Sequence, residues 1–231
     1  MRTLWMAMAA IEFQADEFRK QLIEYLKSNE EYGFKNELYL DFLVSTERLH
    51  SFSFTDTDGM SEEILGKYSF HSNEITIYNG INHKGRENFT VAHEVGHCVL
   101  HRPILLSSLK YYEIDAEELE HPFLLHRDSV DHKGYQSANK VIATFESQAN
   151  KFARYLLMPR KPFTAIFREL MGGVDLGIGH FKDFSYRPVR RDIDKLNEIN
   201  RELANIFDTS GTASAIHLKQ LGFIDKSLRI T

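Results

Sequence analysis

The amino-acid sequence predicts an α+β fold, in which two short strands are followed mainly by helices. The stretches 37–46 (ELYLDFLVST) and 74–78 (EITIY) are rich in aromatic and β-branched residues and are bounded by turn-forming residues, as strands are. Elsewhere the apolar residues recur at the steps of amphipathic helices. We therefore expect a small sheet beside several helices.

The chain opens with a predicted amphipathic helix. Residues 1–31 are interpreted as a frayed start followed by this helix, not as a secretory signal, because the apolar run in MRTLWMAMAAI is short and has a single arginine. One apolar face is predicted for the helix: Phe13, Phe18, Leu22, Tyr25 and Leu26.

Further helices are predicted along the rest of the chain. One covers 86–101 and ends at Pro103, because proline interrupts a helix. Another covers 144–158, and a short one runs from Pro162 to Leu170. Beyond them, two helices are joined through the turn sequence DTSG. The helix over 144–158 has a predicted apolar stripe: Phe145, Ala149, Phe152 and Leu156.

The length of 231 residues predicts one large domain with a small appendage. We expect the large domain to cover 1–185 and a helix–turn–helix-like module to cover 186–231. Residues 103–143 show little periodicity and are predicted to form a long loop or insertion with a short helix.

Charge and cysteine content narrow the classes of function. The net charge of -5 gives no overall positive field, which argues against direct DNA binding. Cys98 is the only cysteine, which excludes an intramolecular disulfide and fits a reducing compartment such as the cytoplasm. No apolar run is long enough to cross a membrane. One basic cluster is interpreted as solvated charge at the start of a helix: Arg187, Arg190, Arg191 and Lys195.

The stretch FTVAHEVGHCVLH, residues 89–101, places His93 and His97 four residues apart on a predicted helix. About 40° separates such positions around a helix, so both imidazoles can bind one metal ion. Zinc held in this way keeps an open position for water, whose proton the neighbouring Glu94 can accept. The spacing predicts a zinc peptidase. The alternative is an amphipathic helix with two ordinary histidines.

The third zinc ligand has to come from elsewhere in the chain. A metzincin site would need glycine at position 100 and histidine at position 104, but the chain has Leu100 and Ile104. His101 is turned about another 40° around the helix, so we expect it to support a ligand and not to bind the metal directly.

Glu146 is the best remaining candidate, because a carboxylate at the edge of an apolar stripe needs a partner. Asn150, one turn later, can hydrogen-bond the free ring nitrogen of a histidine ligand. The alternative is a solvated Glu146 that pairs with Asn150 or Arg154. Other acidic residues are interpreted as a solvated face: Glu113, Asp115, Glu117, Glu118 and Glu120.

Three stretches, NEITIYNG, RENFTVAHEVGHCVLH and FESQANKFARYLLMP, resemble the ImmA/IrrE family of zinc metallopeptidases in wording and order. The resemblance implies a zincin-like fold with a small mixed or antiparallel sheet. It also implies a gluzincin-like site with one zinc ion per chain, bound by His93, His97 and Glu146, with Glu94 as the general base. The C-terminal residues 203–224 are similar to a helical module of the family. The long spacing between His97 and Glu146 is a departure that fits an insertion.

The family acts on helix–turn–helix repressors of the XRE type, so the resemblance implies a protein substrate of that class in stress response or mobile-element control. Such a substrate could pair with an edge strand, for which EITIY is the candidate unless both of its sides are already paired. Two alternatives are a zinc-binding regulator that displaces a repressor without cleaving it and a C-terminal module that binds DNA. The donor for the oxyanion stays open among several residues: Tyr111, Tyr112, His121, His126 and His132.

Overall fold

The computed structural model describes residues 6–28, 36–56, 64–81, 83–106, 124–126, 139–172 and 190–230. Within these ranges the fold is α+β, as predicted, with helices predominating over one small mixed sheet. In chain order the elements are α1 (Met8–Ser28), α2 (Asn36–Ser45), β1 (Ser51–Thr55), β2 (Ile64–Ser69), β3 (Glu74–Tyr78), α3 (Lys84–Gly96), a π-helical turn (His97–His101), β4 (Leu124–His126), α4 (Asn139–Leu157), α5 (Arg160–Leu170), α6 (Arg190–Ile206) and α7 (Gly211–Gln220).

Strand β3 lies inside the sheet, whose order is β1-β3-β2-β4. It runs parallel to β1 and antiparallel to β2, and Ile75 pairs with Phe52 on one side and with Tyr68 on the other. Ile75 and Ile77 are both buried, so alternate side chains of β3 face the core. The strand predicted over 74–78 is confirmed, but its predicted role as a free edge is wrong because both sides are paired.

The strand predicted over 37–46 is wrong, because helix α2 occupies this stretch. Aromatic and β-branched content is a weak guide when tertiary packing decides the conformation. The ring of Phe42 packs edge-on against Phe18 of α1, with centroids 5.4 Å apart. The buried residues of α2 follow helical spacing and not the alternation of a strand: Asn36, Tyr39, Leu40, Phe42 and Leu43.

Helix α1 forms where it was predicted, with a shifted buried face. Phe13 is 58% exposed and is therefore not part of that face, and Tyr25 is only half-buried. The five-residue step from Phe13 to Phe18 turns about 140° around a helix, which separates the two side chains. The buried residues are Ile11, Ala15, Phe18, Leu22 and Leu26.

Helix α3 carries the predicted metal motif and continues into a wider turn. In the π-helical turn the Arg102 N–H bonds to the carbonyl of His97, and residues 102–106 are helical again. The prediction that Pro103 ends this helix is therefore wrong. A proline normally clashes with the carbonyl four residues before it, and the wide turn immediately before Pro103 relieves that constraint.

Helices α3 and α4 approach each other closely at Gly96. A Cβ at this position would lie 3.2 Å from the Ala149 Cα and 3.2 Å from Cδ1 of Phe152. The predicted stripe is confirmed, because Phe145, Ala149, Phe152 and Leu156 are all buried. The close contact places the residues that flank Ala149 on α4 beside His93 of α3 and His97 of the π-helical turn.

The chain divides into two compact units, Met1–Asn82 with Glu87–Leu156 and His83–Arg86 with Leu157–Thr231. This division differs from the predicted boundary after residue 185, because helix α5 groups with the C-terminal helices. Phe163 packs against Phe207 and His217, and Phe167 stacks on Phe223 with ring centroids 4.8 Å apart. The two predicted C-terminal helices are α6 and α7, and the Ser210 hydroxyl caps α7 by accepting from the Ala213 N–H.

Of the predicted insertion over 103–143, the structure describes residues 103–106, strand β4 and residues 139–143. The rest lies outside the described residues. Strand β4 pairs antiparallel with β2 and was not predicted. Among the described residues, no helix is both long enough and apolar enough to span a membrane.

We expect Gly96→Val to lower the free energy of unfolding by about 1–3 kcal/mol, because the added methyl groups meet the Ala149 backbone, which cannot rotate away. Chemical denaturation would measure the change. The matched control is Ser147→Val at an exposed position of α4, where the same β-branched side chain meets no packed neighbour. Equal stability of both variants would contradict the close contact.

Candidate metal centre

Three buried side chains in the first unit converge on one point. The Nε2 atom of His93 lies 3.2 Å from Oε2 of Glu146, and Nε2 of His97 lies 3.3 Å from Oε1. The two Nε2 atoms are 3.0 Å apart. His93 and His97 are fully buried and Glu146 is 6% exposed. The structure therefore brings together the three residues that the sequence put forward as metal ligands.

The spacing of these atoms fits a metal ion. Ligand atoms bound tetrahedrally to zinc at about 2.0–2.2 Å lie about 3.3–3.6 Å from one another, close to the distances between these three groups. Oε1 of Glu146 is buried and accepts no hydrogen bond from any described residue. Two imidazoles and one carboxylate form a donor set of the kind that zinc takes in catalytic sites. The group is therefore positioned to hold a metal ion.

The burial of Glu146, which is 6% exposed, excludes the solvated alternative. Burial opposes its ionisation, but the facing imidazoles of His97 and His93 hold the pKa of Glu146 well below its usual range. Burial also lowers the pKa of His93, yet the hydrogen bond and charge of Glu146 raise it overall. The pKa of His97 is lowered, chiefly by burial. Glu146 is thus a buried anion that faces two imidazoles, and Arg154 is not its ion-pair partner.

Asn150 orients the first histidine. Its Oδ1 lies 3.1 Å from Nδ1 of His93. An amide oxygen can only accept, so Nδ1 of His93 carries a proton, and in the neutral ring the lone pair is on Nε2, the atom that faces Glu146. This is the contact that the sequence predicted for Asn150, one turn beyond Glu146 on α4.

His101 and Gln148 orient the second histidine. Oε1 of Gln148 lies 3.1 Å from Nε2 of His101, and Nδ1 of His101 lies 3.0 Å from Nδ1 of His97. Burial and the neighbouring His97 hold the pKa of His101 well below its usual value, so His101 is neutral. If its Nε2–H donates to Gln148, its Nδ1 accepts from His97, which leaves Nε2 of His97 free for a metal.

His101 contacts His97 within the π-helical turn. His97 and His101 are four residues apart, so their side chains are neighbours on the helix surface, and the π-helical turn keeps the two rings in contact. The ring of Phe145 stacks on His101 with centroids 4.2 Å apart and fixes its plane. Gln148 was missed in the sequence. The sequence indicated Gln148 only as a polar residue next to the apolar stripe of α4.

Glu94 lies beside the three convergent groups without a strong partner of its own. It is fully buried, and within the described parts of the chain neither oxygen has a well-formed hydrogen bond. Burial raises its pKa to about 8, against a smaller opposing effect of His93. A Cβ at Gly66 of β2 would lie 3.1 Å from Oε1 of Glu94, so glycine is what lets the strand approach this carboxylate. Glu94 is therefore a proton acceptor held in an apolar setting.

Several candidate residues cannot be placed at the centre. Tyr111, Tyr112, His121 and His132 lie outside the described residues, as do the acidic residues between 113 and 120. His126 belongs to β4, whose side chains are likewise outside the description.

No family model and no curated protein matches the chain. Among solved structures, the chain is similar to a transcriptional regulator from Mycobacterium tuberculosis, with a TM-score of 0.44 and 14% sequence identity. The match covers 93% of this chain and 52% of the other, so this chain spans about half the length of that regulator. A likeness this distant says nothing about what the present chain binds or cleaves.

We expect Gln148→Leu to weaken zinc binding by about tenfold, because His101 would lose its acceptor and His97 its fixed ring orientation. Competition with a chelator of known affinity would measure the zinc dissociation constant. Ser147→Leu, at the exposed neighbouring position, is the control and should keep the affinity of the parent. An unchanged affinity in Gln148→Leu would mean that the Gln148–His101 contact does not orient the ligand.

Proposed function

We propose that this chain is a zinc-dependent endopeptidase with a zincin-like fold that hydrolyses a peptide bond in a regulatory protein. The observation that carries the proposal is the buried group of His93, His97 and Glu146 with Glu94 beside it. Its resemblance to the ImmA/IrrE family suggests the substrate class, a helix–turn–helix repressor of the XRE type.

The donor set favours zinc over the hard cations. Calcium and magnesium take six or more oxygen ligands or keep several waters, whereas this centre offers two imidazole nitrogens and one carboxylate. Zinc bound by three protein groups keeps an open position, where it polarises a carbonyl and lowers the pKa of water to about 7. One ion per chain fits one such group.

Glu94 suits the role of general base. Its carboxylate is buried, has no strong hydrogen bond within the described residues and has a pKa raised to about 8, so it binds a proton readily. The charges of His93 and Glu146 both act on the pKa of Glu94, which supports a role for it beside the centre. In the proposed mechanism Glu94 takes a proton from the attacking water and later delivers it to the leaving amine.

A regulator that binds zinc and displaces a repressor without cleavage is the main alternative. Such a protein has no use for Glu94, whose burial with no more than a weak hydrogen bond from the Tyr68 backbone costs stability. The presence of this costly carboxylate beside the three convergent groups favours an enzyme.

A DNA-binding function for the C-terminal helices gains no specific support. Of the predicted basic cluster, Arg187 and the side chains of Arg190 and Arg191 lie outside the description, which leaves only Lys195, an exposed residue of α6. A single exposed lysine is an ordinary feature of a solvated helix.

We expect Glu94→Gln to keep its zinc and to lose at least about 100-fold of the proteolytic rate, because glutamine fills the same space but cannot accept a proton. The assay would follow cleavage of unfolded casein and of a purified XRE-type repressor by electrophoresis and mass spectrometry. Glu24→Gln, an exposed position of α1, serves as the control. Equal rates for Glu94→Gln and the parent would contradict the proposed mechanism, and binding of the repressor without any cleavage by the parent would favour the regulator.

A further inference from the structure

A groove of about 400 Å³ lies along the π-helical turn, in the first unit. Its walls come from α1, from the turn that follows α2 and from residues 98–106. Phe18, Val99 and Pro103 supply apolar surface, and Arg48 and Arg102 supply cationic groups. A cavity of this size with an apolar wall and a few charged groups is typical of a site for a small molecule.

The two guanidinium groups of the groove have no carboxylate within ion-pair distance in the described part of the chain. Nε of Arg102 is buried and has no hydrogen-bond partner there, although the side chain approaches the Tyr68 hydroxyl. Because an arginine carries five N–H donors, the remaining groups of this guanidinium are those available to an anion in the groove.

Arg48 lies at the rim of the groove and is held in place from two sides. Its Nη2 donates to Oε1 of Gln21 at 2.8 Å, and its guanidinium carbon lies 5.8 Å from the centroid of the Phe42 ring. These contacts limit the conformations of a long side chain, so little entropy is lost when it binds an anion.

Both arginines lie beside Cys98 in the groove wall. Arg48, Cys98 and Arg102 line the same groove, and the Cys98 thiol donates to the Arg48 carbonyl at 3.4 Å. Burial raises the pKa of the Cys98 thiol to about 12. Cys98 itself is buried and protonated, so it contributes surface and no reactivity.

The acidic residues of the groove restrict the charge of a ligand. Glu17 and Glu47 also line it, and Glu17 already accepts a hydrogen bond from Lys20 at 2.6 Å. Two carboxylates at the same groove would repel a dianion such as phosphate. A single carboxylate attached to an apolar group suits both the guanidinium forks and the apolar wall.

We propose that this groove binds a small organic carboxylate with an apolar or aromatic body, whose carboxylate lies between Arg48 and Arg102. The carboxylate belongs either to a free organic acid or to the C-terminus of a peptide. This site is separate from the metal group and does not depend on peptidase activity. The backbone N–H of Arg102 donates to the carbonyl of His97. A ligand in the groove therefore contacts the turn that carries a proposed metal ligand.

The test is calorimetric titration of the full-length protein with 3-phenylpropionate, N-acetyl-phenylalanine, 3-phenylpropan-1-ol and inorganic phosphate. We expect saturable binding of a carboxylate, with the neutral alcohol at least about tenfold weaker. Arg48→Gln and Arg102→Gln should each weaken that binding by about tenfold, and the Arg102 Nε–H resonance should shift on titration. Arg201→Gln, an exposed position of α6, is the control and should bind as the parent does.

Tighter binding of N-acetyl-phenylalanine than of 3-phenylpropionate indicates a peptide C-terminus as the source, and the reverse order indicates a free acid. Either order supports the proposal. It is overturned by no carboxylate binding up to about 10 mM, by equal binding of the alcohol, by binding of phosphate alone, or by parent-like binding in both arginine variants. If Arg102→Gln does not fold, Arg48→Gln still tests the proposal. Arg48 lies in the turn after α2 and not in the helical residues that contain Arg102.

Discussion

Burial of the Glu146 carboxylate against His93 and His97 is the constraint on which the rest of the first unit depends. An anion that is 6% exposed needs positive or polarisable partners, and loss of one partner from a buried charged pair costs about 3–5 kcal/mol. The partners sit on another helix, so α3 and α4 must pack closely and in one register. Gly96 permits that approach, because any larger residue meets the Ala149 backbone.

The surrounding contacts give each ring one useful orientation. Asn150 acts on His93, while Gln148 acts on His97 through His101. In both cases the final acceptor is a side-chain amide oxygen on α4. The helix that supplies the Glu146 carboxylate therefore also sets the tautomers of the two histidines. Glu94 is the exception, since among the described residues its buried oxygens receive no well-formed hydrogen bond and only a weak one from the Tyr68 backbone. The rings of His93 and His97 are oriented by hydrogen bonds, whereas the carboxylate of Glu94 is not. Its unfavourable burial therefore lies where the proposed chemistry occurs.

The sequence predicted the centre better than the fold around it. Helix geometry put His93 and His97 on one face and made Glu146 a candidate at the edge of its own stripe. That Glu146 joins the two histidines was implied by the family resemblance, because the geometry of one helix does not say what a second helix brings to it. Asn150 followed from the same geometry. The helix over 37–46 was missed because its aromatic and β-branched content resembles a strand, and only packing against α1 decides the matter. The role of Gln148 could not be predicted, since it depends on how two helices meet, and no residue pattern indicated the π-helical turn.

The most direct test of the metal centre is the zinc content of the parent protein and of Glu146→Ala after dialysis against metal-free buffer. We expect about one zinc ion per chain in the parent and little or none in the variant, because two imidazoles alone bind the ion weakly. Glu24→Ala, which removes an exposed carboxylate from α1, should keep the full zinc content. Equal zinc in the parent and in a folded Glu146→Ala variant would show that Glu146 is not a ligand and would contradict the assignment of the centre.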